Sequence, residues 1–141
     1  MTQVPIPDDH HVVRHCKPST CPNGRPLISA FMLREHRPDE TCLSVNWLEH
    51  PSAGSIKVIR ETFQAKGFDL RANGRFATLH VHRIRDRARR ARLTVCIVHT
   101  PERDDPSHAD ICGPHETPTD RQIVAGLLHA CVIADFPART Q

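Results

Sequence analysis

The chain has no tyrosine, one tryptophan and only 4% aromatic residues. Its core must therefore be built from aliphatic side chains. No run of roughly eighteen apolar residues occurs, so no segment reads as a membrane-crossing helix. The stretch from Met1 to Asp9 has neither a basic start nor an apolar run, which does not fit a secretion signal. These two absences predict a cytoplasmic protein without a membrane partner. Gly-rich phosphate loops, His-Glu-x-x-His, Cys-x-x-Cys and EF-hand loops are all missing. None of the chemistries carried by those motifs is signalled.

What is present fits one globular unit. The 141 residues, 38% hydrophobic and 25% charged, suit a single domain spanning 1–141 that can bury a core without cross-links. Six cysteines (Cys16, Cys21, Cys42, Cys96, Cys112 and Cys131) could in number form three disulfides. With no secretion signal they are read as free thiols, and Cys96 and Cys131 sit in apolar runs as small core residues.

Charge is uneven. Residues 51–100 hold eleven Lys/Arg against three Asp/Glu, whereas residues 101–141 hold three against seven. The basic peak is the 83–92 segment, with six arginines in ten residues. It would attract an anionic ligand or nucleic acid, or else connect two strands as a solvated linker. No aromatic residues interleave with these arginines, which argues against a stacking platform for single strands.

Periodicity and turn chemistry give an order β-β-α-β-β-β-α after a polar N-terminal segment. Leu27–Arg34 and Thr41–Leu48 read as strands across a turn at 35–40. A helix is expected from Pro51-Ser52 to Lys66, capped by Ser52, with Ile56, Ile59 and Phe63 as its apolar stripe. Gly67 would end it. Asn73-Gly74 predicts a type I′ hairpin joining Phe68–Ala72 to Arg75–Ile84. Leu93–Thr100 reads as a central strand. A long charged loop follows over 101–118, then a helix capped at Thr119 or Asp120 and running to Ala134. The expected fold class is α+β: a mainly antiparallel sheet of about five strands, with two principal helices packed on one face.

Three places could carry chemistry. In the N-terminal segment, His11, Arg14 and Cys16 offer a base, an anion clamp and a nucleophile, and His15 and Lys17 beside Cys16 would lower its thiol pKa. His108, in the long loop, would complete this catalytic set. A second group, His80, His82, Arg83 and Arg85, would bind phosphate. The third reading is metal: His99, His108, Cys112 and His115 have ligand-like spacing for zinc, although the order matches no standard signature.

Three functional readings follow. One is binding or processing of a phosphate-bearing ligand, nucleotide or RNA, by an Arg/His cluster without a cofactor. A second is a non-catalytic interaction or inhibitor module that docks a partner protein or a second copy through its basic middle and acidic tail. The third is a zinc-stabilised binding module. The first requires the named arginine and histidines to converge in one pocket.

Overall fold

The computed structural model describes residues 3–34, 37 and 39–139. Its strands are β1 (Val4–Pro5), β2 (His11–Cys16), β3 (Cys42–Trp47), β4 (Arg75–His80), β5 (Cys96–His99), β6 (His108–Cys112) and β7 (Val132–Pro137). Its α-helices are α1 (Ile56–Ala65), α2 (Val81–Arg90) and α3 (Pro118–His129). The strands form one antiparallel sheet of seven in the order β1-β5-β6-β3-β2-β4-β7. This is the α+β class expected, with more strands and one more helix.

Both faces of the sheet are covered. Neighbouring residues on a strand point to opposite sides, and Val12 and Val13 of β2 belong to different cores. Val12 packs in a cluster with Leu79, Ile97 and Ile111 of the sheet, Val81 and Ile84 of α2, and Ala125 and Leu128 of α3. Val13 packs with Phe76, Leu70 and Ile59, against which Ile56 and Phe63 of α1 also lie. Thus α2 and α3 cover one face and α1 the other. The expectation that the helices share a face is corrected.

The α1 stripe of Ile56, Ile59 and Phe63 forms as periodicity requires. The helix begins later than expected, because Gly54 turns the chain at φ 87° and Ser55, not Ser52, caps it. Ser55 Oγ accepts from the Val58 amide at 3.2 Å. Replacing Ser55 with alanine should cost about 1 kcal/mol, read as a lowered urea midpoint, while Ser52→Ala, which removes only an exposed contact with His50 Nδ1, should lower it less. Likewise Thr117 caps α3, with Pro118 in the first turn where its missing N–H costs nothing.

Several expected elements differ. The 83–92 arginine segment is not a linker but most of α2. Val81, Ile84 and Ala88 are its buried stripe, at helical spacing. The strand expected over Arg75–Ile84 therefore stops at His80. Leu27–Arg34 forms a short 3-10 turn at Ile28–Phe31 instead of a strand. Of the turn expected at 35–40, Glu35, His36 and Pro38 lie outside the described residues.

Asn73-Gly74 makes no hairpin, since β4 pairs with β2 and β7 rather than with 68–72. Gly74 instead sits close to neighbouring backbone: a Cβ there would lie 3.1 Å from the Cys16 carbonyl oxygen, a tight contact that would need a shift of a few tenths of an ångström. The long 101–118 loop contains β6 and a tight reversal in which Glu102 and Asp105 exchange backbone hydrogen bonds of 3.1 Å. The apolar window 123–136 divides between α3 and β7. β5 lies next to the short edge strand β1 rather than at the sheet centre. The all-thiol expectation is also corrected, because Cys42 and Cys112 are joined by a disulfide. Among the described residues no helix is long and apolar enough to cross a membrane.

Candidate functional site

Two basic sites emerge, one in a cleft and one on a helix. The cleft begins where β2 leaves β3. β2 pairs with β4 along its whole length, but with β3 only at Val12↔Trp47 and Val13↔Asn46. Beyond that point the Arg14 side chain takes the place of ladder bonds. Its Nη1 donates to the Ser44 carbonyl at 2.9 Å and its Nε to the Ala30 carbonyl at 3.0 Å. Burial pulls this guanidinium below its ordinary pKa, while Cys16 and Glu40 act in the opposite direction. The opened strands leave a cleft of about 770 Å³ with His15, Lys66 and His108 in its wall.

A buried polar network forms one wall of the cleft. Asp105 is 1% exposed. Asn46 Nδ2 donates to Asp105 Oδ1 at 2.9 Å and to Ser107 Oγ at 2.8 Å. Ser107 Oγ donates to the same carboxylate oxygen at 3.2 Å, and Lys66 Nζ donates to Asp105 Oδ2 at 3.1 Å. Burial alone would lower the Lys66 pKa, but Asp105 and Glu102 together hold it above the usual value. Opposite, His15 is packed edge-on to Phe63 and Phe68 and tilted on Phe76. Burial first, then Arg14 and Lys17, push its pKa down to about 4. Two of the cleft's cations are thus committed to carboxylates: Lys66 to Asp105 and Glu102, and Arg34 to Glu40.

On α2 the position is reversed. Arg83, Arg87, Arg89, Arg90 and Arg92 are exposed. Arg90 pairs with Asp86 and Arg85 with Asp8, whereas Arg83, Arg87, Arg89 and Arg92 have no carboxylate within ion-pair distance among the described residues. Arg83, Arg87 and Arg90 fall at i, i+4 and i+7, hence on one helix face. They line a groove of about 600 Å³ whose other wall, from α3, includes Ile123, Gly126 and Leu127.

The expected catalytic set does not meet in one place. His11 and Arg14 project from opposite faces of β2. The His11 amide donates to Glu49 Oε1 at 2.8 Å, its Nδ1 lies 2.6 Å from Glu49 Oε2, and its ring stands against that of His80. Arg14 and His108 share the cleft instead. Cys16 is a buried thiol whose pKa burial raises to about 12, with Cys21 adding to the effect. That corrects the expected lowering, because the burial of Cys16 outweighs its basic sequence neighbours.

The phosphate set also divides. His80 and His82 are 6.4 Å apart between ring centroids, and Arg85 is engaged with Asp8 Oδ1 at 2.6 Å. Only Arg83 of that set belongs to the arginine face that lines the α2–α3 groove.

The zinc expectation is corrected. Cys112 is in the disulfide, His99 Nε2 lies 2.8 Å from the Pro106 carbonyl oxygen, and His115 Nδ1 lies 3.0 Å from that of Gly113. His108 Nδ1 faces the Thr100 hydroxyl and carbonyl. No group of three or more His, Cys, Asp or Glu is arranged to hold a metal among the described residues.

Sequence reading missed Asn46, Lys66 and Asp105 as a unit. They come from three distant segments, and no local spacing marks them. No protein-family model, curated protein or solved structure matches the chain.

Proposed function

We propose that this protein binds a phosphate-bearing polyanion, RNA in the first instance, through the exposed arginine face of α2. The carrying observation is the set of arginines at 83, 87 and 90 on one face, with Arg83 and Arg87 lacking carboxylate partners among the described residues. An α-helix rises about 1.5 Å per residue, so these guanidinia span roughly 10 Å. That spread suits a chain of phosphates better than a single one. The cleft is the weaker candidate, since Lys66 and Arg34 are already neutralised. Guanidinium groups bind phosphate oxygens through paired N–H donors, and each such contact releases condensed counterions.

Anisotropy of a labelled RNA oligonucleotide, titrated at several salt concentrations, tests this. Wild type should weaken steeply as salt rises. The R83A/R87A/R90A variant should bind at least about tenfold more weakly at low salt, and its log–log salt slope should be shallower by roughly two units, at about 0.7 per lost contact. Equal slopes for the two proteins would refute the reading.

One observation favours a second reading, docking of an acidic protein. Ile123, 48% exposed, sits in the same groove as the arginines. A second copy is a poor occupant, because it would bring like charges together. Polyglutamate of matched charge separates the two readings. An acidic-protein site should bind it as well as RNA and weaken on the uncharged change Ile123→Ser, which removes apolar contact alone, whereas a phosphate site should prefer RNA and tolerate that change.

A further inference from the structure

Three cysteines lie side by side across three neighbouring strands. In the register of the sheet Cys112 of β6 is opposite Cys42 of β3 on one side and opposite Cys96 of β5 on the other. Directly opposed residues of antiparallel strands point to the same face, so the three sulfurs project together. Cys42 and Cys112 are bonded, with Cα atoms 4.4 Å apart. Cys96 is a free and exposed thiol.

The ladder geometry fixes the second distance. Thr100 N donates to the His108 carbonyl at 3.0 Å. Every second pair along β5–β6 is therefore hydrogen-bonded, including Cys96 with Cys112, and such pairs have Cα atoms about 5.5 Å apart. That is at the centre of the range disulfides occupy, about 4.4–6.8 Å. Cys112 thus has a partner within Cα range on either side; the hydrogen-bonded pair has the wider Cβ separation, so a Cys96–Cys112 bond requires a small local approach of β5 to β6. The face is also open. Val95 and Gly113, one residue along from Cys96 and Cys112, point to the α3 side, where a Cβ at Gly113 would meet Val124. The cysteines consequently project from the side that α1 covers only over the other end of the sheet.

We propose that Cys96, Cys112 and Cys42 form a thiol–disulfide exchange site, in which the disulfide moves between Cys42–Cys112 and Cys96–Cys112. The Cys96 thiol loses its proton to solvent and its sulfur attacks Cys112 Sγ. The Cys42–Cys112 bond breaks, its electron pair leaves on Cys42, and Cys42 takes up a proton. One disulfide is broken and one is made, so no external oxidant or reductant takes part. Cys42 lines the Arg14 cleft. Exchange would therefore place a free thiol in the cleft wall and release the cross-link between β3 and β6. The other free cysteines, Cys16, Cys21 and Cys131, are buried and do not compete.

The test is a disulfide map of the full chain, equilibrated at mildly alkaline pH, quenched with acid and alkylated in denaturant. Wild type should give both Cys42–Cys112 and Cys96–Cys112 linked peptides, with Cys42 alkylated in proportion to the second. Cys96→Ser should retain only Cys42–Cys112 and lose the alkylated Cys42 peptide. Cys42→Ser, treated with oxidised glutathione, should form Cys96–Cys112 as its main species. A wild-type map with no Cys96–Cys112 peptide would overturn the proposal even if the variants did not fold. So would a folded Cys42→Ser protein that keeps both Cys96 and Cys112 free.

Discussion

Asp105→Ala is expected to destabilise the protein by about 3–5 kcal/mol, the range for removing one partner of a buried ion pair. The carboxylate accepts from Lys66, Asn46 and Ser107 at once. Alanine would leave the Lys66 ammonium, only 15% exposed at its side chain, with Glu102 at 3.4 Å as its remaining partner. It would also leave the Asn46 amide with Ser107 alone, in a place water barely reaches. A loss of that size is a large fraction of a typical folding free energy of roughly 5–15 kcal/mol. It should lower Tm by roughly 10–20 °C.

A double-mutant cycle with Lys66→Met separates pairing from packing. If the ion pair carries the cost, the double variant should be less destabilised than the two single losses predict, because it leaves no unpaired buried charge. Additive losses, or an Asp105→Ala cost below about 1 kcal/mol, would show that the network behaves like a surface pair. The network also holds the reversal between β5 and β6, since Glu102 and Asp105 close that turn through their backbones. Thr100 and His108, at the base of this hairpin, should therefore lose amide protection together with Asp105.

How much of this could be read from the residues in order depends on whether the signal was local. The α1 stripe was legible because Ile56, Ile59 and Phe63 recur at helical spacing in a segment with few competing signals. The same kind of signal existed in α2, as Val81, Ile84 and Ala88. It was masked there by five arginines and by a preceding strand whose alternation runs on through Val81. Period-two burial of Ala109 and Ile111 in β6 was similarly hidden inside a charged, proline-containing stretch.

Other features had no local signal at all. Cys42 and Cys112 are 70 residues apart, and their pairing is a consequence of β3 lying beside β6. Asn46, Lys66 and Asp105 meet for the same kind of reason. Arg14 was noticed as an anion clamp, but its backbone partners at Ala30 and Ser44 depend on β2 parting from β3, which sequence alone does not show. That Arg83 and Arg87 are left without carboxylates among the described residues likewise depends on Asp8 meeting Arg85 and Asp86 meeting Arg90 in space, not on the count of charges.

Acidification should expose the position of His15. Its ring lies among Phe63, Phe68 and Phe76, with Arg14 and Lys17 as neighbouring charges and Lys66 Nζ over the Phe63 and Phe68 rings. Burial first, then Arg14 and Lys17, hold its pKa at about 4 in the folded protein, against an ordinary value of 6.5. As pH falls, the unfolded chain takes up this proton first, so protonation favours unfolding. The contribution of neutral His15 is complete above pH 6.5, declines as pH drops from 6.5 towards 4, and changes no further below the folded value. A displacement of this size corresponds to a loss of up to about 3 kcal/mol. Urea midpoints taken from pH 7.5 down to 4.5 measure it. His15→Phe keeps the aromatic packing and removes the titration, so its midpoint should fall much less over that interval. A smaller slope should persist in the variant from His50, whose pKa is also lowered, by burial and by His99. Parallel loss of stability in wild type and His15→Phe would show that the acid sensitivity arises elsewhere. Divergence of the two curves between pH 6.5 and 4.5 would show that the cleft wall is held together by an imidazole that must stay neutral in its buried place beside Arg14.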